Sequence, residues 1–265
     1  MNSQTLKGLL VLVTRPRAQA RLWSQLLCKA GAQVQLVPML AIKALVEPEH
    51  KQGIKNKILQ LDEYQKAIFV SQNAVSYGID WIDQYWPQLP EALEFFAVGK
   101  TTGEQLQQQS SSRWGKSVIA AEHAMNSEAL VALANMQRVD NEKILIFRGL
   151  GGRTYMGDVL RSRNAKVDYC ELYQRTIPDT IDWSALDSFK ASANRKLIAV
   201  HSAETLDNLC SLVDDKQWLL AQPLLVPGER VALHANDAGF KTIVTADNAT
   251  DNSMIGALYD WRKTV

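Results

Sequence analysis

The sequence predicts an α/β fold of mostly parallel sheets, built as two similar α/β halves. Three observations predict it. Short apolar runs alternate with helical stretches along the whole chain. Several of these runs are continuous rather than alternating, which marks strands buried on both faces of a parallel sheet. The first part of the chain also aligns with the second in four places, taken in order. At ~100–200 residues per domain, 265 residues suit one large domain or two small ones.

Leu9-Leu10-Val11-Leu12-Val13-Thr14 is the first strand. Arg15-Pro16 breaks it, and Pro16 suits the first turn of a helix, where its missing N–H costs nothing. Leu22, Leu26, Leu27 and Ala30 recur at helical spacing, and Gly31 is the C-terminal stop. Val34 to Val37 is the second strand, closed by Pro38. Ala67 to Val70 and Phe95 to Val98 follow, the first leading through Ser71-Gln72-Asn73 into a helix from Ala74. The second turns at Gly99-Lys100-Thr101-Thr102. Later strands are Lys143 to Phe147, Val167 to Leu172, Leu197 to Val200, Leu224 to Val226 and Thr242 to Val244.

The repeat aligns Val11 to Arg15 with Ile144 to Arg148, and Ala32-Gln33-Val34 with Ala165-Lys166-Val167, both at an offset of 133. Ser71 aligns with Ser202 at 131, and Ala121, Ala124, Ala132 and Leu133 with Ala246, Ala249, Ala257 and Leu258 at 125. The shrinking offset implies small loop deletions in the second copy. Two such halves place a cleft between them. Ligands of open parallel sheets bind at the carboxyl ends of strands, so the residues just after each strand are the candidates.

Arg15 and Arg148 hold equivalent strand-to-helix corners, and each is either an anion clamp or ordinary surface charge. Gly149-Leu150-Gly151-Gly152-Arg153 is a glycine-rich turn without the Lys-Ser/Thr of a P-loop, and Thr154 stands where GxGxxG needs glycine. Its backbone N–H groups can still face an anion. Ser71, Asn73, Thr101, Thr102, Ser127 and Ser202 stand where helices begin; N-capping, worth about 1 kcal/mol each, is the plain reading and is compatible with ligand binding. Lys100 is a further anion candidate. No Gly-x-Ser-x-Gly elbow surrounds Ser71 or Ser202, and His201 next to Ser202 points to the opposite strand face. On the strand from Val167, alternation puts Tyr169, Glu171 and Tyr173 on one face. Tyr173 either packs or donates a hydrogen bond to a ligand, and periodicity alone favours packing.

Several classes are excluded. Lys plus Arg number 29 against 28 Asp plus Glu, a net charge of +1, which argues against a nucleic-acid or membrane surface. Cys28, Cys170 and Cys210 are too scattered for a disulfide framework or a zinc site, and His50, His123, His201 and His234 have no metal spacing. Residues 1–8 carry no signal-peptide pattern and no apolar run approaches 18 residues. The expectation is a soluble, reduced, cytoplasmic protein.

Taken together, these segments resemble the uroporphyrinogen-III synthase family over essentially the whole chain. The resemblance is carried by Val11 to Pro16, Phe69 to Val75, Ala97 to Thr102, Leu145 to Arg153, Ala165 to Arg175, and Val200-His201-Ser202-Ala203. One departure is visible: the family's Ile-Gly-Pro-x-Thr turn in the second half reads Val226-Pro227-Gly228-Glu229-Arg230 here. The resemblance implies two flavodoxin-like domains joined by a two-stranded linker, with the first strand–helix–strand unit of each half completing the other half's sheet. Transferred here, one domain is 1–37 plus 176–265, the other 42–171, and the linkers are 38–41 and 172–175. It implies dehydration and cyclisation of hydroxymethylbilane, a linear tetrapyrrole with eight carboxylates, to uroporphyrinogen III with inversion of ring D. No cofactor and no metal are implied. Tyr173 matches the family tyrosine that assists loss of the hydroxyl, which lifts its functional reading above packing. Arg15, Ser71, Asn73, Gly99, Lys100, Thr101, Arg148, Gly149, Arg153, Ser202 and Gly228 are the expected substrate contacts. A monomer suffices to build the cleft, and a hand-over from hydroxymethylbilane synthase is the one protein contact kept open. Competing readings are a two-domain binding protein or sensor for a small anionic ligand, and a flavodoxin-like FMN protein.

Overall fold

The computed structural model describes residues 5–120 and 127–264. Residues 1–4, His123, and the Ala121 and Ala124 members of the repeat lie outside the described residues. The strands follow in chain order as β1 (Leu9–Val13), β2 (Gln33–Leu36), β3 (Ala41–Ala44), β4 (Lys66–Phe69), β5 (Glu94–Ala97), β6 (Val118–Ala120), β7 (Lys143–Gly149), β8 (Lys166–Thr176), β9 (Arg195–Ala199), β10 (Leu224–Pro227) and β11 (Ile243–Ala246). Helices connect most of them. The chain divides into two compact units, Met1–Ala41 with Thr176–Val265, and Ile42–Arg175. No helix among the described residues is long and apolar enough to cross a membrane.

The sheet of the first unit runs β2-β1-β9-β10-β11, all paired parallel. Its inner strands β1, β9 and β10 are buried on both faces, as their apolar runs require, whereas the edge strands β2 and β11 are partly exposed. In β1, Leu10 and Leu12 enter one core cluster with Ile198 and Val226, while Leu9, Val11 and Val13 enter another with Trp23 and Leu225. Each such residue contributes about 1.5–3 kcal/mol by leaving water.

The second sheet runs β3-β8-β7-β4-β5-β6, parallel from β8 to β6. Ala67, Phe69, Leu145 and Phe147 pack on one face, and Ile68, Ile144 and Ile146 on the other. The unit β1–β2 thus shares a sheet with β9–β11, and β7–β8 shares one with β4–β6. Strand order reverses at β1/β9 in the first sheet and at β7/β4 in the second. Residues 172–175 continue β8 and belong to the second unit.

The reading by hydrophobic runs misses β3 and β6. Both are edge strands of three or four half-buried residues, so neither presents a continuous apolar run. Helix caps also differ from expectation in part. Ser71 and Ser202 do cap helices, but the cap of Lys100–Trp114 is Gly99, at φ 81°, and Thr101 and Thr102 lie in the first turn beyond it. A positive φ is cheap only for glycine, which is why the backbone places it at the corner.

At the amino end of the second sheet, Lys66 is buried, with its Nζ 2.6 Å from Glu142 and 3.3 Å from Glu94. Glu142 and Glu94 flank β4 on either side. Replacing Lys66 by alanine removes the buried cation and leaves two partly exposed carboxylates without their shared partner. A loss of about 3–5 kcal/mol in urea unfolding is expected, with Lys66→Met recovering part of it. Turnover should not change, because this end is opposite the candidate site.

Candidate active site

Open α/β sheets bind ligands beyond the carboxyl ends of their strands where strand order reverses. At that place in the second sheet a cavity of about 160 Å³ opens, lined among others by Ser71, Arg148, Gly149, Arg153, Tyr173 and Arg175. Drug-sized ligands take ~300–1,000 Å³. This cavity therefore admits one arm or ring edge of a larger molecule.

Tyr173 is its buried wall, 1% exposed. Its orientation comes from an irregularity. Arg148 pairs with Glu171, but Gly149 pairs with Tyr173, so Leu172 is an extra residue in β8. Such a bulge breaks the period of two and re-aims the side chains beyond it. Leu172 and Tyr173 both join the cluster of Phe69 and Phe147, whereas Val167 and Tyr169 pack against the opposite cluster. The expectation that Tyr173 shares the face of Val167, Tyr169 and Glu171 is thereby corrected. The ring stacks on Tyr77 at 5.6 Å between centroids and lies against the Gly149 backbone. A Cβ on residue 149 would stand 2.6 Å from Tyr173 Cε2.

The phenol meets Ser71. Ser71 Oγ lies 2.8 Å from Tyr173 Oη and accepts a 3.1 Å hydrogen bond from the Ala74 N–H at the start of the helix Gln72–Tyr85. Three groups thus form a chain from a helix N-terminus, with its partial positive charge, to a phenol in the cavity wall. Burial raises the pKa of the neighbouring Tyr77, and the nearby Tyr173 and Asp80 push it the same way.

Arg148 is buried beneath the glycine-rich turn rather than presented at its surface. Its Nε–H donates to the Gly149 carbonyl and its Nη1–H to the Arg153 carbonyl, both at 3.2 Å. The guanidinium lies 4.5 Å from the Tyr169 ring centroid and 3.8 Å from the Glu171 carboxylate, which accepts from the Gly151 N–H at 3.2 Å. The pair braces the turn from below, while Arg153 and Arg175 stand exposed at the rim. Gly99, exposed Lys100 and exposed Thr101 start the helix beside β5, and Asn73 lies one residue inside the helix that Ser71 caps.

The remaining expected contacts lie in the first unit. Arg15 is paired with Asp251 at 2.7 Å. Ser202 caps the helix Ala203–Leu212 by accepting from the Thr205 N–H, and Gly228, at φ 93°, starts the helix Glu229–Asp237. Sequence reasoning misses the parts played by Glu171, Arg175 and Tyr77. Glu171 and Arg175 each stand two residues from Tyr173, a usable signal; Tyr77 reads only as a helical core position. No cluster of three or more His, Cys, Asp or Glu suited to a metal ion occurs among the described residues. Burial pushes the Cys170 thiol up to about 12, which leaves it inert as a nucleophile.

The family model described as "Uroporphyrinogen-III synthase HemD" matches residues 22–256. Uroporphyrinogen-III synthase of Escherichia coli (strain K12) is 32% identical over 217 residues, covering 77% of this chain and 82% of that protein. The enzyme of that name from Salmonella typhimurium is 29% identical over 251 residues, covering 94% and 99%. In fold, the chain is similar to the crystal structure of uroporphyrinogen-III synthetase from Helicobacter pylori 26695. The TM-score is 0.59 at 11% identity, over 95% of this chain and 99% of that one. From the extent of the family match and the E. coli relative, the chain belongs to the uroporphyrinogen-III synthase family.

Proposed function

We propose that this protein converts hydroxymethylbilane to uroporphyrinogen III, with Tyr173 as the proton donor to the departing hydroxyl. The observation that carries the assignment of Tyr173 is its hydroxyl, 2.8 Å from a serine that caps a helix, in the wall of a cavity rimmed by arginines.

The chemistry asks little of the protein beyond placement. When Ser71 donates its proton to the phenolic oxygen, the Tyr173 O–H is free to point into the cavity. Ser71 Oγ still accepts from Ala74, and the helix N-terminus then favours the charge that grows on the phenol. The C–O bond of the hydroxymethyl arm breaks, water leaves with the phenolic proton, and the electron-rich pyrrole becomes an azafulvene cation. Attack at the substituted carbon of ring D gives a spiro intermediate. It fragments, and ring D recloses inverted. The ring carbon finally loses one proton, which restores the phenol. The sequence is redox-neutral and no step calls for a cofactor.

What competes is closure without inversion, so selectivity is a matter of holding a flexible chain in one geometry. Eight carboxylates supply the handles. Arg153 and Arg148 with Gly149 are proposed to serve them around the cavity, along with Asn73, Gly99, Lys100 and Thr101 at neighbouring helix starts. Arg15, Ser202 and Gly228 do so at the strand ends of the first unit. Arg148 acts mainly by holding the turn's N–H groups in place. The two units are read as products of an internal repeat, and the working form as a monomer.

Purified protein supplied with freshly generated hydroxymethylbilane tests the assignment, with the products oxidised and the uroporphyrin isomers separated. Predominant isomer III is the expected result. Isomer I alone, at the rate seen without protein, would overturn it.

A further inference from the structure

The β1/β9 reversal of the first sheet carries a concentration of buried polar atoms with no hydrogen-bond partner among the described residues. They are Arg15 Nε, Trp23 Nε1 and both ring nitrogens of His201. Folded proteins leave few such atoms, and each calls for an explanation. Here they are neighbours. Val13 and Ala199 are register partners in adjacent strands, and Arg15 and His201 each stand two residues beyond them. Trp23, fully buried in the helix Arg17–Lys29, meets the His201 ring edge-on at 5.5 Å between centroids.

The donor arithmetic defines what fits. Arg15 keeps one arm on Asp251, at 2.7 Å from Nη1, which leaves the Nε edge uncommitted. Trp23 Nε1 is a donor only. Burial first, and then the charge of Arg15, hold His201 well below the ordinary imidazole range, so its ring is neutral with one N–H. The neighbouring groups thus count three donors and one acceptor. An oxygen-rich, negatively charged group of few atoms answers that pattern, and Arg15 adds a charge-assisted bond.

We infer that Arg15, Trp23 and His201 form a subsite for a single carboxylate at the carboxyl end of the first sheet. Trp23 and His201 then serve as binding residues that the strand-end pattern does not mark. The inference rests on the proposed reaction only for the source of the carboxylate, which would be one acid arm of the bilane. The donor set itself stands without it.

Sodium propionate is the probe. In full-length protein with ¹⁵N-labelled tryptophan, the Trp23 indole N–H resonance is assigned by its loss in Trp23→Phe. It is then followed while propionate replaces chloride at constant ionic strength. The expected result is a saturating shift specific to propionate, weakened tenfold or more in Arg15→Gln and in His201→Gln. A Trp23 resonance that answers propionate no differently from chloride overturns the subsite, whether or not the variants fold. The isomer assay on the same sample separates the two readings. Isomer III with no propionate response removes the subsite alone, whereas a saturating response without isomer III removes the reaction and leaves a carboxylate site.

Discussion

Tyr173→Phe is expected to lower turnover at saturating substrate about 10²-fold while leaving isomer III the main product. General acids contribute ~10²–10⁴-fold, and loss of hydroxide from an electron-rich pyrrole needs only mild assistance, which points to the low end. Phenylalanine keeps the ring, its stack on Tyr77 and its contact with Gly149. The substitution removes the hydroxyl and its 2.8 Å bond to Ser71, at a stability cost of about 1 kcal/mol. Ser71→Ala removes the support rather than the acid, along with the helix cap. A smaller drop in turnover is expected there, with a loss of about 1 kcal/mol in stability. Because Ser71 is proposed to act through Tyr173, the double variant should turn over no more slowly than Tyr173→Phe alone. Losses that multiply would separate the two residues. Unchanged turnover in Tyr173→Phe would take the phenol out of the chemical step.

The legibility of the fold varies with the environment of each strand. β1, β4, β7, β9 and β10 are enclosed on both faces, and burial on both sides demands unbroken apolar runs that the eye can find. β3 and β6 are half-buried edge strands and carry no such demand. Within the candidate site, the rule of looking just after each strand finds Ser71, Arg148, Gly149, Arg153 and Tyr173. These residues line one cavity. It does not find where each side chain points. Arg148 reads as a ligand clamp from its corner, yet its carbonyl partners belong to its own turn, a choice set by the folded path of residues 149–153. The bulge at Leu172 is equally silent, since no glycine or proline marks it and only the pairing with β7 creates it. In sequence, His201 reads only as the wrong neighbour for Ser202. Its placement against Trp23 and Arg15 depends on strand pairing between Val13 and Ala199, residues far apart in the chain.

Gly149→Ala should cost about as much turnover as deleting the phenol, although it removes no chemical group. The new methyl would stand 2.6 Å from Tyr173 Cε2 and 3.0 Å from Cζ, so the ring or the strand has to move. The strand is held: Leu150 N–H donates to the Tyr173 carbonyl at 2.7 Å, and Arg148 Nε–H to the Gly149 carbonyl at 3.2 Å. The ring has Tyr77 stacked against it and Phe69 and Phe147 in the same cluster. Tilting it therefore costs packing, about 1–3 kcal/mol for an overfilled core. The same tilt carries Oη away from Ser71, and a displacement near 1 Å is enough to lose ~10²-fold in rate. Two comparisons isolate this cause. Gly53→Ala adds the same methyl to a helix where, among the described residues, it meets no packing partner within 4 Å beyond its chain neighbours and the helix's own backbone, and should leave turnover unchanged with a small gain in stability. Gly149→Ala combined with Tyr173→Phe should be no slower than the worse single variant, because a misplaced phenol and an absent one fail at the same step. If the two losses multiply, Gly149 acts on the substrate through its own backbone, and the fit between glycine and tyrosine is packing alone.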